Sequence, residues 1–408
     1  MDGSGKRRPL EGIRVLDCGI YHAGPGGPAM LGDLGAEVIK IEQPQVGDPL
    51  REHKKIGRIC FEIPGGRSIF FDGANRNKKS VTVDMKTKKG QKIVYDLAAV
   101  SDVFLTNMRR PAIEGMNMTY PALRKVNEKI IYATVSAFGP KGPDRDLGGF
   151  DYQGQARSGF MYSIGEAGMP PLLSQFGIID QATAMMVGYQ IITALYMRER
   201  FGMGQELHVS ILGTAISLLY LNILITQMGG FEPPRHQRAT ELPLRNYYQC
   251  GDGRWLMMTL TPQRRHWGPL CKALGRPDLE KDPRFDTSEK RLSNAKDLVA
   301  IFDDLFAARP REEWLKIFAE HDLFCSAVHS LKDMAEDPQI LENGYLVDFE
   351  HPTLGKIKIP GYPVDFSESW AGTSRAAPEL GEHTEEVLRD LCGYSKEEII
   401  SLRQKGII

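Results

Sequence analysis

The sequence predicts an α/β protein: a large domain built on a doubly wound, Rossmann-like sheet, with a smaller α+β domain. Short β-branched runs alternate with stretches of helical periodicity through the first 140 residues. The first strand, helix and second strand together occupy about thirty residues, the length of a βαβ unit with parallel strands. The chain has 408 residues. At roughly 100–200 residues per domain, more than one domain is therefore expected.

The strands of the sheet are predicted where β-branched residues cluster between turn signals. They fall at residues 13–17, 37–42, 81–84, 102–106 and 129–138. Helical periodicity over "PAMLGDLG" and over residues 88–99 predicts the helices between them. The first turn, "CGIYHAGPGG", lacks the G-x-G-x-x-G order of dinucleotide-binding proteins, so its glycines are interpreted as packing and turn residues. Ligands of such a sheet bind at the carboxyl ends of its strands.

A helical pattern runs from Asp180 to about Arg200. The stretch "ELHVSIL" is a candidate strand that runs into a long apolar helix, predicted within residues 207–228. Ser and Thr at helical spacing argue against a membrane span, so this helix is expected to be buried in a core or a subunit interface. The Asp252-Gly253 pair between two β-rich runs predicts a hairpin. The predicted domains are a large domain over residues 1–227, a small domain over 228–335, and a segment over 336–408 that returns to the large domain.

The composition argues against several classes of protein. The 51 Lys and Arg nearly balance the 52 Asp and Glu, so no long-range field favours nucleic acid or a membrane surface as partner. The six cysteines form no C-x-x-C pair and the nine histidines show no H-x-x-x-H spacing, so neither a disulfide framework nor a metal site is predicted. The N-terminal "MDGSGKRRPLEG" has no apolar signal segment, which together with the dispersed cysteines predicts a cytoplasmic protein.

One carboxylate, Asp180, lies in "GIIDQATAMMVGYQ", between a short apolar run and a long apolar helix. Aspartate is a favoured N-cap, and such a cap stabilises a helix by about 1 kcal/mol. An acid in apolar surroundings is also a candidate reagent, because a helix N-terminus keeps a carboxylate ionised. The two roles are compatible, and spacing alone does not separate them.

Five blocks of sequence follow one another along almost the whole chain. They include "LGDLGAEVIKIEQPQVGDPLR", "NRNKKSVTVDMKTKKGQ", "VFLTNMRRPAIEGMNMTYPALRKVNEKIIYATVSAFGPKGP", "GGFDYQGQARSGF" leading to "GIIDQATAMMVGYQ", and "APELGEHTEEVL". In this order they resemble the family III CoA-transferases, a group with formyl-CoA:oxalate, carnitine and aryl-lactate CoA-transferases and the related α-methylacyl-CoA racemase.

The resemblance implies an enzyme that moves CoA from an acyl-CoA to a carboxylic acid, and a dimer in which two ring-like chains interlock. The family's nucleophile is an Asp that follows an aromatic–acidic pair, and Asp180 stands in this position after Phe150-Asp151. The implied reaction forms a mixed anhydride and then an aspartyl-CoA thioester on Asp180.

The resemblance also implies roles for other residues. His22 stands where the family has a polar side chain near the reacting carbonyl, although a plain turn residue is an equal interpretation. Asp151 stands where some members have a Glu beside the nucleophile. The implied contacts to CoA are Lys40, Glu42, Arg51, Lys78, Asn107 and Met108. Any of the basic ones is alternatively a solvated surface residue.

Two departures from the family pattern bear on the reaction. Phe150 replaces the histidine of the racemases, and a phenyl ring cannot transfer a proton, so racemase is a poor second hypothesis. The stretch "RHQRATELPLRNYYQ" lacks the glycine run of the formyl-CoA enzyme. A likeness of "NYYQCGDGRWLMMTL" to the aryl-lactate members favours an aromatic or medium-sized organic acid as acceptor, with succinyl-CoA as candidate donor. The alternative hypothesis is that the chain is not itself catalytic and serves as a non-catalytic subunit of a heteromeric CoA-transferase.

Overall fold

The elements of the chain follow the alternation of β-branched and helical stretches, and the computed structural model describes them over residues 5–408. The strands are β1 (Arg14–Asp17), β2 (Glu37–Glu42), β3 (Lys55–Ile56), β4 (Ile59–Cys60), β5 (Glu62–Ile63), β6 (Arg67–Ser68), β7 (Lys78–Thr82), β8 (Val103–Thr106), β9 (Ile131–Ser136), β10 (Gln205–Ser210), β11 (Arg245–Gln249), β12 (Trp255–Thr259), β13 (Cys325–Val328), β14 (Leu346–His351) and β15 (Gly355–Pro360). The helices are α1 (Ala23–Asp33), α2 (Ile69–Asn75), α3 (Lys88–Ala99), α4 (Arg110–Gly115), α5 (Tyr120–Arg124), α6 (Asp151–Ser158), α7 (Phe160–Ser163), α8 (Ile178–Phe201), α9 (Ile211–Leu218), α10 (Tyr220–Gly229), α11 (Gln263–Ala273), α12 (Asp278–Lys281), α13 (Ser288–Ser293), α14 (Ala295–Phe306), α15 (Arg311–Glu320), α16 (Pro338–Glu342), α17 (Thr384–Cys392) and α18 (Lys396–Gln404).

The central sheet has the order β10-β9-β8-β1-β2-β7, and all of its strand pairs are parallel. Counted along the chain among themselves, these strands have the order of the Rossmann fold. The predicted doubly wound parallel sheet is therefore confirmed. The connections from β1 and β8 leave in opposite directions, which creates a crevice at the carboxyl ends of these two strands.

Apolar side chains fill both faces of the sheet. On one face, Val15 of β1 packs in a core with Val187 and Ile191 of α8. On the other face, Ile93 of α3 and Leu388 of α17 belong to a second core. The C-terminal helices thus complete the layer that covers the sheet.

The glycine run after β1 allows helices α1 and α8 to approach closely. A Cβ added to Gly27 would lie 2.4 Å from Val187 Cγ1, and one added to Gly26 would lie 2.7 Å from the Cβ of Ala184. Carbon atoms in van der Waals contact are about 3.5–4.0 Å apart, so only glycine fits. The interpretation of these glycines as packing residues is confirmed.

Residues up to Met161, Leu173–Gly230 and Glu342–Ile408 form the larger of two units, and Tyr162–Leu172 and Phe231–Leu341 form the smaller one. The smaller unit has an antiparallel sheet of order β11-β12-β13. Its core includes Leu256, Phe302 and Phe306. The predicted hairpin is the β11–β12 pair. The predicted small domain, residues 228–335, omitted the segment Tyr162–Leu172.

The prediction of one long buried helix within residues 207–228 is wrong. The stretch begins in strand β10, where "ELHVSIL" predicted a strand, and the rest forms α9 and α10, which meet at an angle of 67°. Leu221 of α10 is 69% exposed and Met228 is 81% exposed. The apolar composition of α10 is therefore not explained by the core of this chain.

Helix α8 is long and apolar enough to cross a membrane by length and composition alone. Core helices of soluble proteins pass the same test. Ile179, Val187 and Ile191 of α8 are fully buried in the core beside the sheet. One side of α8 thus packs in the core beside the sheet, while Tyr189 and Tyr196 on the same helix are exposed.

Candidate active site

A cavity of about 870 Å³ opens at the carboxyl ends of the central strands. Its lining comes from the loop after β1, the segment after β8, the end of β9 and the start of α6. Asp180, His22, Asn107 and Met108 all line it. The fold therefore brings four of the predicted site residues to one crevice.

Asp180 lies in the first turn of α8 and is not its N-cap. The N-cap position is Gly177, with φ 76°, and no side chain of that residue can accept a hydrogen bond. The prediction that Asp180 caps its own helix is therefore wrong. The Asp180 carboxylate therefore makes no capping hydrogen bond at the start of α8.

Asp151, the first residue of α6, provides the cap of α8 instead. Its Oδ1 accepts hydrogen bonds from the backbone amides of Ile179 and Asp180 at 2.7 and 3.0 Å. Gln155 donates to the Oδ2 atom of Asp151. Asp151 is buried and does not line the cavity, so its contact with Asp180 is through the backbone. It anchors the first turn of α8 and so fixes where Asp180 stands.

The Asp180 carboxyl group is electrostatically unusual. Burial, and secondly the negative charge of Asp151, raise the pKa of Asp180 to about 7. Its Oδ1 atom is buried and has no hydrogen-bond partner within residues 5–408. A buried acceptor without a partner is rare in folded proteins and costs stability, which is typical of a reactive group.

His22 precedes α1 and lines the same cavity as Asp180. Burial lowers the pKa of His22, and this effect outweighs its hydrogen bond with Gln181, the residue after Asp180, which acts to raise the pKa. The imidazole is therefore neutral near pH 7. A neutral imidazole can donate one hydrogen bond to a developing oxyanion without carrying a charge.

Lys40, Glu42 and Lys78, which were predicted to contact CoA, lie outside the cavity. All three side chains are buried. Lys40 Nζ lies 2.8 Å from Asp48 Oδ2, and Lys78 Nζ lies 2.7 Å from Asp17 Oδ2. Burial alone would lower the pKa of Lys40, but the negative charges of Asp48, Asp17 and Glu42 together outweigh burial and raise it. These charges are buried because they neutralise one another.

Arg51 does not line the cavity either. Its guanidinium binds both carboxylate oxygens of Glu42 at 2.8 Å and lies over the ring of Phe71. Burial acts to raise the pKa of Glu42, but the hydrogen bonds from Arg51 and Ser80 and the charges of Lys40 and Arg51 together lower it. Arg51 is thus occupied by an internal ion pair.

Arg109 is a cavity residue that the sequence analysis did not single out. It lines the cavity, is exposed, and makes no ion pair with any residue from 5 to 408. Its guanidinium lies against Gly148, where an added Cβ would be 2.4 Å from Nη2. Its neighbour Arg110 is paired with Asp146. Arg109 lies in the segment that follows strand β8. A basic residue at this place in the sequence is the signal that could have identified it.

A metal centre finds no support among residues 5–408, which contain no group of three or more His, Cys, Asp or Glu side chains placed to hold an ion. The cysteines described there are free thiols.

Comparison with known proteins defines the class. A sequence profile of CoA-transferase family III matches residues 10–384. A succinyl-CoA:glutarate CoA-transferase of Mus musculus is 32% identical over 403 residues, covering 98% of this chain and 90% of the relative. A formyl-CoA:oxalate CoA-transferase of Streptomyces avermitilis is 31% identical, covering 98% of this chain and 100% of the relative.

A solved structure has the same fold. A CAIB/BAIF family protein from Brucella suis superposes with a TM-score of 0.85 at 27% sequence identity, covering 95% of this chain and 100% of that protein. The chain therefore belongs to CoA-transferase family III, and it is an enzyme of that class. Enzymes of this family use CoA thioesters as substrates.

Proposed function

We propose that this enzyme transfers CoA from an acyl-CoA to a carboxylic acid by covalent catalysis on Asp180. The observation that carries the proposal is the Asp180 carboxyl group. The residue is half-buried and lines a cavity at the crevice of the sheet, and its buried Oδ1 atom has no hydrogen-bond partner within the described residues. A structural carboxylate would have its oxygens satisfied.

The reaction proceeds in two exchanges. A carboxylate oxygen of Asp180 attacks the donor thioester carbon, the carbon–sulfur bond breaks, and a mixed anhydride and CoA thiolate form. The thiolate then attacks the side-chain carbonyl carbon of Asp180, which gives an aspartyl-CoA thioester and releases the donor acid. The acceptor acid reverses these steps, and Asp180 is regenerated. Covalent catalysis divides one difficult exchange into easier steps.

Two neighbouring residues support this chemistry. His22 donates a hydrogen bond to the oxygen of the reacting carbonyl, as its neutral ring in the same cavity allows. Asp151 orients Asp180 through the backbone amides it binds. Preorganised donors and a fixed nucleophile lower the barrier because little reorganisation remains at the moment of reaction.

The CoA moiety occupies the cavity near Met108 and Arg109. The thioether of Met108 offers apolar contact to pantetheine or adenine. The guanidinium of Arg109 is the cation of the cavity without an ion-pair partner in the described chain, which suits a phosphate.

We propose succinyl-CoA as donor and an aromatic or medium-sized organic acid as acceptor. The names of two relatives support the donor: the Mus musculus enzyme and a succinyl-CoA–D-citramalate CoA-transferase of Chloroflexus aurantiacus, which is 31% identical. The edge-to-face pair of Tyr21 and Phe150 at the cavity supports an apolar acceptor. A screen of acids against succinyl-CoA, followed by mass spectrometry of the CoA products, tests both assignments.

Trapping the intermediate tests the mechanism. The enzyme is incubated with succinyl-CoA, quenched with hydroxylamine, digested and mapped by mass spectrometry. A hydroxamate at Asp180 is expected, and Asp180→Asn is the control that should give none. An unmodified Asp180 peptide from active enzyme would sink the proposal.

An isotope experiment tests the anhydride itself. An acceptor acid labelled with oxygen-18 in its carboxylate should transfer one label to the Asp180 side chain, because the anhydride oxygen stays with Asp180 when the thiolate attacks the acceptor carbonyl. Absence of label from Asp180 during turnover would exclude the anhydride.

Two alternatives have their own tests. A non-catalytic subunit would bind CoA and form no adduct in the trapping experiment, even with a partner that restores activity. A racemase would incorporate deuterium from solvent at the α-carbon of a 2-methylacyl-CoA. We expect no incorporation, because Phe150 cannot exchange a proton.

A further inference from the structure

The loop of residues 18–22 joins β1 to α1 and ends at His22. Side chains bind its backbone from the side of β1 and β2. The Gly19 amide donates to Asp17 Oδ1 at 2.9 Å, and Lys40 Nζ donates to the Gly19 carbonyl oxygen at 2.9 Å. Both side chains are fully buried. The start of the loop is therefore held by two charges that water does not reach.

Asn107, which follows β8, binds the next residue of the loop at both of its polar atoms. The Ile20 amide donates to Asn107 Oδ1 at 2.8 Å, and Asn107 Nδ2 donates to the Ile20 carbonyl oxygen at 2.6 Å. One residue later, the Tyr21 amide donates to Asp48 Oδ1 at 3.1 Å. Five successive backbone polar groups, from the Gly19 amide to the Tyr21 amide, thus have side-chain partners.

These contacts hold a conformation that the loop would not keep by itself. Tyr21 has φ 61°, in the left-handed region that non-glycine residues avoid. Such a residue persists where its surroundings over-determine it, and this occurs most often at functional sites. His22 comes directly after it, so the direction of the imidazole depends on the backbone that Asn107 and Asp48 fix.

We infer that Asn107 is a positioning residue for His22: its amide clamps Ile20 and thereby sets where the imidazole stands in the cavity that Asp180 also lines. This inference rests on the proposed function of His22. It replaces the prediction from sequence that Asn107 contacts CoA. One donor and the acceptor of the amide are engaged by Ile20, and the side chain packs against Gly24, where an added Cβ would be 2.9 Å from Asn107 Cγ.

Steady-state kinetics and binding separate positioning from CoA contact. Asn107→Ser should lower kcat about 100-fold, since a displaced catalytic group has an effect of this size. The Kd for free CoA, measured by calorimetry, should stay within about twofold of the wild-type value, because no CoA contact is lost.

Asn127→Ser is the matched control. The Asn127 amide also binds backbone carbonyls, those of Ala98 and Ser101, but outside the cavity. Its kcat should equal that of the wild type. An Asn107→Ser enzyme whose Kd for CoA rises as much as its kcat falls, or whose kcat matches that of Asn127→Ser, would overturn the inference.

A readout independent of turnover keeps this test distinct from that of the proposed function. Nitrogen-15 NMR follows the titration of the His22 ring, assigned by its absence in His22→Ala. Its pKa should lie below the ordinary value in the wild type and move towards that value in Asn107→Ser, as the ring leaves its buried place. An unchanged titration would contradict positioning. A missing hydroxamate at Asp180 in the wild type would contradict the proposed function alone.

Discussion

At the scale of single residues, the chemistry of the site depends on how the charge of Asp180 is controlled. Asp180 receives no hydrogen bond at Oδ1 from the described chain, and Asp151 contributes a second negative charge behind it. Both effects disfavour the ionised form that must act as nucleophile. A carboxylate poorly stabilised by its surroundings is also more reactive towards a carbonyl carbon.

The rate of adduct formation should therefore depend on pH. With the pKa of Asp180 at about 7, the ionised fraction falls as pH drops below 7, and the single-turnover rate should fall about tenfold per pH unit there. Asp151→Asn keeps an oxygen for the two amides but removes the charge, so the midpoint should move to lower pH. Rapid-quench measurements at saturating succinyl-CoA test this. A midpoint that does not move in the variant would contradict the role of Asp151.

The same burial predicts a stability change of known sign. The folded pKa of Asp180, about 7, lies above the unfolded value, about 3.9, so ionisation destabilises the fold as pH rises between these values. Asp180→Asn removes that effect. The variant should be about 1–3 kcal/mol more stable than the wild type at pH 8, and the difference should shrink at pH 5. Urea unfolding at both pH values measures it. An equal difference at the two values would refute the argument.

The sequence predicted which residues line the cavity better than it predicted which charged residues are buried. Asp180 and His22 follow from the family motifs, and both line the cavity. Lys40 and Lys78 look like phosphate ligands in sequence. Their neutralising partners, Asp48 and Asp17, come from other segments, and only the parallel sheet brings them together. Ion pairs between residues that are distant in sequence produce no local sequence pattern. The burial of Lys40 and Lys78 could therefore not be predicted from the sequence.

At the scale of elements, the contact between α1 and α8 supports the site, because α1 follows His22 and α8 carries Asp180. Their separation is set by Gly26 and Gly27. A change in this contact moves the imidazole relative to the carboxylate. If His22 and Asp180 act as proposed, the packing of these helices is coupled to catalysis.

Gly27→Ala should disturb this contact. Its new Cβ would meet Val187 at 2.4 Å, so we expect a loss of about 1–3 kcal/mol in the free energy of unfolding, together with lower activity. Gly73→Ala, in α2, is the control, because its Cβ would meet nothing within 4 Å. The control should be neutral or slightly stabilising. Equal effects of the two substitutions on unfolding would show that close packing is not the cause.

Element boundaries were predicted well where a strong local signal exists. The strand Glu37–Glu42 and the helix Lys88–Ala99 have the bounds expected from sequence. One long helix was predicted within the stretch 207–228 because the stretch is apolar throughout. Apolar composition alone predicts neither the break between α9 and α10 at Leu219 nor what covers the exposed side of α10.

At the scale of the whole molecule, the Rossmann order of the sheet explains where the site lies. The β-α alternation predicted the sheet and thus a ligand at the carboxyl ends of its strands. The cavity with Asp180 lies there. The segment Tyr162–Leu172 belongs to the smaller unit although it lies far from the rest of that unit in sequence. Such long-range assignments depend on packing and have no signal in composition.

Helices α8 and α10 both carry exposed large apolar side chains. Tyr189, Tyr220 and Leu221 are each more than 60% exposed, and they belong to the same unit. Monomeric proteins rarely leave several large apolar side chains exposed on neighbouring elements. We propose that a homodimer, or a heteromer with a homologous subunit, covers this surface, as the family resemblance implies.

Leu221→Glu should dissociate the homodimer, because a buried carboxylate without a partner is costly at an interface. Light scattering coupled to size exclusion should give the dimer mass for the wild type and a single-chain mass for the variant. Val126→Glu is the control: Val126 is also exposed, but it lies between α5 and β9, and its substitution should leave the dimer intact. A wild-type chain that is monomeric at micromolar concentration would exclude the homodimer and favour the heteromer. A dimeric Leu221→Glu protein would show that α10 lies outside the interface.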